Sequence, residues 1–353
     1  MNEITKPYRR GGVLKTDTVT LAHGGGGKAM RDLIDDVFVA AFDNPDMGDM
    51  EDQARLPIGA ELNGGRLAFT TDGFVVDPLF FPGGDIGHLA VNGTVNDLAV
   101  GGAKPLWLSC AMIIEEGVEV GTLQRIAASM REAADAAGVS IVTGDTKVVG
   151  KGSADKVFVT TAGVGVIPAG VDLAARHVRV GDVAIVNGYL GDHGAAILNA
   201  RGDMALESPV ESDCAPLNGL MADVLAAAPD VRCARDATRG GLASSLNEIA
   251  SVSGCGIDID EEALPLRTEV RGFCEILGLD PLYLANEGTL VLFVPPEQAD
   301  AALAAMRARP EGRDARLIGR ASTDHPGSVV VNTLFGGGRR LDMLAGEQLP
   351  RIC

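Results

Sequence analysis

The sequence predicts a two-domain α/β protein, and three observations predict it. The chain has 353 residues, and roughly 100–200 residues per domain makes that two domains. In each half, short aliphatic runs alternate with amphipathic stretches of helical period. Between the halves lies a stretch with neither period, Pro168 to Gly181. Hydrophobic residues make up 46% of the chain, enough for a core in each half. Aromatics are only 4%, so those cores are built from Val, Leu, Ile and Ala.

The elements follow in order. Residues 1–17 read as a tail and 18–168 as the first domain. Val19 to Leu21 reads as a short strand leading into HGGGGKAMRDLIDDVF, where glycines give way to a helix near Lys28 carrying Met30, Leu33, Ile34 and Val37 at helical spacing. The acidic run 43–55 reads as a loop. Arg66 to Thr71 is a strand ending in Thr71-Asp72-Gly73, and a helix runs from about Asp85 to Val100 on Leu89, Ala90, Val95, Leu98 and Ala99. Trp107 to Ile114 is a strand. Thr122 to Ala137 is an amphipathic helix with Leu123, Ile126, Ala127, Met130, Ala133, Ala134 and Ala137 in one stripe, stopped by Gly138. Strand Val139 to Thr143 then meets a loop, Gly144-Asp145-Thr146-Lys147, before a strand from Val157 to Val166.

The second domain, 178–335, repeats the alternation. Strands are expected near 183–187, 256–260, 289–294, 314–318 and 328–332, and helices near 193–200, 217–227, 240–253, 269–277 and 296–308. After Gly336-Gly337-Gly338 the pattern dissolves, and residues 336–353 read as a mobile arm ending in Cys353.

Composition excludes several classes. The formal net charge of -18 repels nucleic acid and anionic lipid. No apolar run reaches the roughly 18 residues of a membrane span. The basic start MNEITKPYRR is followed by no apolar region, so no signal peptide is expected. The six cysteines are scattered without CxxC spacing, which fits a reducing, cytoplasmic setting. Glycine is in excess at 46 of 353, and the excess points to tight turns and backbone-lined ligand loops.

Three segments could carry chemistry. Gly24-Gly25-Gly26-Gly27-Lys28 is not a Walker A loop: Ala22 stands where that pattern needs glycine and Ala29 where it needs Ser or Thr. Bare N–H groups of Gly25 and Gly26 beside Lys28 still suit an anion, with a flexible turn as the alternative. Asp72, Asp97 and Asp145 sit where strand or helix ends meet glycine or, for Asp97 beside Asn96, on a largely apolar helix. A carboxylate there is costly unless paired or bound to metal, so the three could hold Mg2+ if their elements converge; the alternative is turn and cap aspartates. Arg235-Asp236-Ala237-Thr238-Arg239-Gly240-Gly241 offers an acid, a hydroxyl, two guanidinium groups and bare N–H groups at a helix start, or is an N-capped helix with a surface ion pair. Gly191-Asp192-His193-Gly194 reads as a turn and cap. No His, Cys and acid set has zinc or iron spacing.

Cys353 stands apart. With six Cys in 353 positions, a terminal one by chance is about one in sixty. On a polar arm it reads as an exposed chemical handle, and its own carboxylate disfavours the thiolate. The other five lie in or beside apolar segments and read as core thiols.

HGGGGKAMRDLI, TTDGFVVDPLFFPGGDIGHLAVNGTVNDLAVGGA, TGDTKVV, RDATRGGLA and the ending PRIC together resemble the HypE family of hydrogenase maturation proteins, within the aminoimidazole ribonucleotide synthetase superfamily. The resemblance covers nearly the whole chain from about Leu21. It implies a PurM-like α/β (α+β) fold: an N-terminal half-barrel domain that pairs with its twin in a homodimer, a C-terminal α/β sandwich, and ATP with Mg2+ in the cleft. Its expected nucleotide residues are Gly25, Gly26, Lys28, Asp72, Asn96, Asp97, Asp145, Thr146, Asp236, Thr238, Arg239 and Gly240. It implies a reaction too. HypF carbamoylates the sulfur of Cys353, the resulting carboxamide is dehydrated with ATP to a thiocyanate, and cyanide passes to iron on HypC–HypD for the [NiFe]-hydrogenase centre. Lys147 and Glu287 match the family's dehydration pair. The rivals are a selenophosphate synthetase, which would carry a reactive Cys or selenocysteine near its glycine run where this chain has none before Cys110, a thiamin-monophosphate kinase, which has no reason for a Cys-ending arm, and a nucleotide-gated scaffold without catalysis.

Overall fold

The computed structural model describes residues 27–33, 54–57, 64–202, 209–346 and 349–353. The first half holds a five-stranded sheet in the order β1-β2-β7-β5-β6. Its strands are β1 (Ala54–Pro57), β2 (Arg66–Phe74), β5 (Lys104–Glu115), β6 (Ser140–Val149) and β7 (Val157–Ile167). A two-stranded ribbon, β3 (Phe80–Phe81) and β4 (Gly84–Asp85), leads into helix α2 (Ile86–Val100). Before these comes α1 (Lys28–Leu33), and between β5 and β6 lies α3 (Val120–Ala137).

Every residue of α2 is buried except His88 and Asp97. A helix apolar on all sides must be enclosed on all sides, and this one lies between its own sheet and the second domain. Asp85 caps it, accepting from the N–H groups of Gly87 (2.7 Å) and His88 (3.1 Å) and from Ser129 Oγ (2.7 Å). Gly87 lets α2 and α3 touch: a Cβ there would stand 2.5 Å from the Ile126 carbonyl oxygen. Gly138 ends α3 in the left-handed region at φ 69°, as the sequence pattern requires.

The second half is built on a seven-stranded sheet, β14-β13-β10-β12-β8-β11-β9. The strands are β8 (Val183–Val186), β9 (Cys233–Asp236), β10 (Gly256–Asp260), β11 (Leu290–Val294), β12 (Arg316–Ser322), β13 (Val329–Asn332) and β14 (Gly338–Leu341). Around it pack α4 (Asp192–Arg201), α5 (Asn218–Ala227), α6 (Gly241–Ser253), α7 (Thr268–Leu277) and α8 (Ala299–Arg307). Ala99 and Val100 of α2 share an apolar cluster with Leu217, Leu220, Met221, Ala234 and Leu290, so the two halves meet through core. Asn96 fastens this seam. Its Nδ2 donates to the carbonyls of Ala215 (3.0 Å) and Glu287 (3.2 Å), and its Oδ1 accepts from Leu217 N–H (2.7 Å). Asn96→Ala removes three bonds at a buried position and should cost about 2–4 kcal/mol of stability, checked by chemical denaturation.

The structure departs from the sequence pattern in four places. β2 runs through Asp72 to Phe74, paired with β7 throughout. β6 continues through Gly144 to Val149, because β5 offers a ladder along its whole length and Thr143, Thr146, Val148 and Val149 are good strand formers. The short β9 had no periodicity to announce it. Residues 338–341 are a strand, not the base of an arm: Gly336 to Gly338 make the hairpin turn, with Thr333 N–H donating to Gly337 O at 2.8 Å, and β14 closes the sheet edge with charged residues. The segment outside the sheet therefore begins after Leu341. The expected strand at 19–21, Ile34, Val37 and the acidic loop lie outside the described residues, apart from Ala54 and Arg55 in β1. Among the described residues no helix is long and apolar enough to cross a membrane.

Candidate active site

The last residues of the chain run back across both domains. Asp342 O accepts from Tyr283 Oη (2.7 Å) and Leu344 O from Lys28 N–H (3.0 Å). Arg201, at the end of α4, donates to the carbonyls of Pro350, Arg351 (2.8 Å) and Asp77 (2.9 Å). Arg351 forms ion pairs with Asp155 (2.8 Å) and Asp77 (3.7 Å). His193, at the start of α4, places Nε2 2.7 Å from Ile352 O and Nδ1 2.8 Å from Ser212 Oγ. These contacts deliver Ile352 and Cys353 into the apolar cluster of the first domain, with Phe74, Ile86 and Leu89. Cys353 is only 8% exposed. The sequence suggests an exposed thiol; in the fold it is buried, because the backbone contacts and the apolar cluster it enters outweigh the polarity of the arm.

The thiol lies beside the carboxyl of Glu287, with Arg239 and Asp72 also close enough to act on it. Glu287 is fixed from behind. Asp213 accepts from the N–H groups of Glu287 (2.9 Å) and Gly288 (3.0 Å) and from Thr289 Oγ1 (2.9 Å), while Asn96 takes the Glu287 carbonyl. Glu287 Oε1 is buried with no hydrogen-bond partner among the described residues. Burial, then Asp213, Asp236 and Asp72, push this carboxyl well above the ordinary range, against the pull of Arg239. Burial likewise raises the Cys353 thiol; Arg239 opposes that, and Glu287 and Asp72 add to it. Both shifts favour the neutral thiol and the neutral carboxylic acid over their anions.

Arg239 is the cation of the site. Cys353, Asp72, Glu287 and Asp97 all lie close enough to act on it, and each of them holds its charge in place when ionised. The turn from β9 into α6 aims it. Thr238 O accepts from Gly241 N–H (2.9 Å), Asp236 O from Ser245 Oγ (3.0 Å), and Gly240 has φ 79°. Gly241 packs so closely that a Cβ would stand 2.5 Å from Leu282 O. Asp72 is raised by burial, with Arg239 and the Gly73 N–H pulling it back. Asp97 accepts from Thr70 Oγ1 at 2.8 Å.

The structure thus brings together Asp72, Asp97, Arg239, Glu287 and Cys353. Asp236, Thr238 and Gly240 build the turn that carries Arg239. Asn96 lies at the seam, its amide bonded to backbone rather than open to a ligand. Lys28 pairs with Asp32 at 2.5 Å and braces the arm through its backbone; Gly25 and Gly26 lie outside the described residues. Asp145 and Thr146 are known here by their backbone in β6. The expected three-carboxylate metal set does not form on one strand row. Asp72 pairs with Thr161, Thr161 with Cys110, and Cys110 with Gly144, so β6 stands three strand spacings from β2, about 14 Å along the sheet. Among the described residues no group of three His, Cys, Asp or Glu could hold a metal ion. Lys147 is exposed and pairs with Ile113, three residues beyond Gly144, so alternation sends it to the sheet face opposite Asp72. It does not join Glu287 and Cys353 within this chain.

Sequence reading missed His193, Arg201, Asp77, Asp155 and Asp213. Gly191 is indeed a left-handed cap at φ 81°, but nothing local announces that the next histidine meets a residue 159 positions away.

Residues 50–167 match the AIR synthase related protein N-terminal domain, and residues 179–332 its C-terminal domain. The chain is 68% identical over 341 residues to carbamoyl dehydratase HypE of Rhodobacter capsulatus, covering 96% of this chain and 99% of that one. Among solved structures, a HypE–HypF complex aligns with TM-score 0.83 at 46% identity, covering 88% of this chain and 99% of that one. HypE in complex with ATP aligns with TM-score 0.79 at 47% identity, covering 95% and 100%.

Proposed function

We infer what this chain does from one premise: it belongs to the carbamoyl dehydratase HypE family. It is an enzyme that uses ATP to dehydrate a carbamoyl group carried on its own Cys353, so supplying cyanide for the iron of a [NiFe]-hydrogenase. HypF loads the carbamoyl group and HypC–HypD receives the cyanide. The observation that carries this reading is the seat of Cys353: a thiol buried in the apolar cluster of the first domain, beside one carboxyl and one guanidinium.

The chemistry assigns roles to that pocket. An amide oxygen is a poor leaving group. The carboxamide oxygen attacks the γ-phosphorus of ATP, ADP departs with the bonding electrons, and the oxygen becomes part of a phosphate ester. One N–H proton goes to a base. The C–O bond then breaks toward phosphate, the second N–H proton leaves on it as hydrogen phosphate, and a C≡N triple bond remains on sulfur. Glu287 is the base. A carboxylate of raised pKa is a stronger base than an ordinary one, and phosphorylation of the oxygen makes the nitrogen protons acidic. Arg239 balances charge gathered on the transferring phosphoryl group. Mg2+ usually takes one or two carboxylates plus phosphate oxygens. Asp72 and Asp97, partly exposed beside Arg239, fit that donor set and would hold it. When bound it supplies phosphate charge neutralisation.

The homodimer belongs to the same reading. Phe69 and Trp107, 42% and 51% exposed, sit on one strand row through Val164, and Ile113, 41% exposed, lies on the same face. A twin covering that face would bury them and bring Lys147 into the interface. The reaction is cytoplasmic in this reading, in keeping with free cysteines at all six positions. Intact-mass measurement tests the function: after HypF, carbamoyl phosphate and ATP, the C-terminal peptide gains a carbamoyl group and then loses one water. A carbamoyl mass that persists with ATP present would refute it.

A further inference from the structure

We propose that His193 is a positioning residue for the dehydration, holding the peptide plane that carries Cys353; this rests on the reading above. His193 is fully buried, packed edge-on against Phe81 with ring centroids 5.5 Å apart. Its protonation is fixed by its partners. Ile352 O only accepts, so Nε2 bears the hydrogen and donates across 2.7 Å. Nδ1 must then accept, and Ser212 Oγ donates to it across 2.8 Å while itself accepting from Cys214 N–H at 3.2 Å. Burial lowers the His193 pKa, which keeps the ring neutral in this arrangement.

Ile352 O belongs to the peptide bond whose nitrogen is that of Cys353. A peptide unit is planar, so anchoring this oxygen sets the plane from which the Cys353 Cα projects. Only φ and χ1 then separate the anchor from the sulfur. A carbamoyl oxygen on that sulfur lies roughly 5 Å beyond Cα, so a tilt of the plane by about 15° moves it by about 1 Å, a displacement able to cost about 100-fold in rate. Arg201 holds the arm upstream, at Pro350 and Arg351. His193 is the side chain that meets the carbonyl adjoining Cys353 itself.

Two variants separate positioning from packing. In His193→Gln the amide nitrogen stands near the former Nε2 and keeps the donor; in His193→Asn the amide reaches only the former Nδ1 and the donor is lost. We expect Asn to slow single-turnover dehydration of the carbamoylated protein about 100-fold with saturating ATP, and to speed iodoacetamide alkylation of unmodified Cys353 about tenfold. Gln should stay within a few-fold of wild type in both. Equal behaviour of the two variants, or an Asn variant like wild type, would overturn the proposal. Should His193→Asn not fold, Ser212→Ala takes its place: without its donor Nδ1 no longer fixes the tautomer, and both readouts should move the same way by about tenfold. Alkylation uses neither ATP nor carbamoyl group, so it judges His193 even if wild type fails to dehydrate, a result that would instead refute the reaction.

Discussion

Cys353→Ala is expected to abolish product formation completely while the protein still folds and binds ATP. The thiol is the atom to which the carbamoyl group is attached in the proposed reaction, so no neighbouring group replaces it. Cys214, although near Glu287, is held by Asn92 Nδ2 at 3.4 Å and raised well above its ordinary pKa by burial. The structural cost is small, because His193, Arg201 and Arg351 still seat the arm; about 1 kcal/mol covers the sulfur removed. Mass spectrometry after HypF, carbamoyl phosphate and ATP should find neither carbamoyl nor cyano product, and calorimetry should find ATP affinity unchanged. A carbamoyl adduct on the variant would move the reacting thiol elsewhere.

Glu287→Gln is expected to take up the carbamoyl group and then stop. The amide keeps the volume and the backbone clamp of Asp213 and Asn96, but it accepts no proton. General-base removal typically costs about 100- to 10,000-fold, so the carboxamide mass should persist with ATP over times in which wild type converts fully. The pH dependence carries the same assignment. Burial and three carboxylates raise the Glu287 pKa, and the base must be ionised, so wild-type dehydration should rise with pH through that raised value and the Gln variant should be flat. Stability runs the other way. The folded state keeps a proton that the unfolded chain releases above about 4.5, so this contribution is present in full below that pH and is lost as pH climbs toward the folded value. Wild type should therefore lose more stability than the variant across that window, as thermal melts at several pH values will read. Full conversion to the cyano form by Glu287→Gln would remove Glu287 as the base.

Much of the fold was legible in the sequence because its signals are local. The stripe Leu123, Ile126, Met130, Ala133 and Ala137 specifies α3, and Gly138 ends it by taking a conformation that side chains resist. Asp85 caps α2 because a carboxylate satisfies N–H groups one turn ahead. The cluster from Arg235 to Gly241 was legible as a polar helix start, and Cys353 as an oddity of position. Each of these needs only neighbours within a turn or two.

What only the tertiary structure decided is which distant residues meet, and in what state. Asp72, Asp97, Arg239, Glu287 and Cys353 come from five separate segments, and their meeting depends on strand register. Between β5 and β6 the register shifts: Leu108 pairs with Ile141 but Ser109 with Thr143, leaving Val142 as an extra residue. Because side chains alternate along a strand, that single bulge turns Lys147 to the other face, and so carries it away from the thiol that the motif alone associates with it. Burial did the rest. It turned an apparently exposed handle into a buried thiol beside a buried carboxyl, both pushed toward their neutral forms, since a charge removed from water loses more than one nearby guanidinium returns.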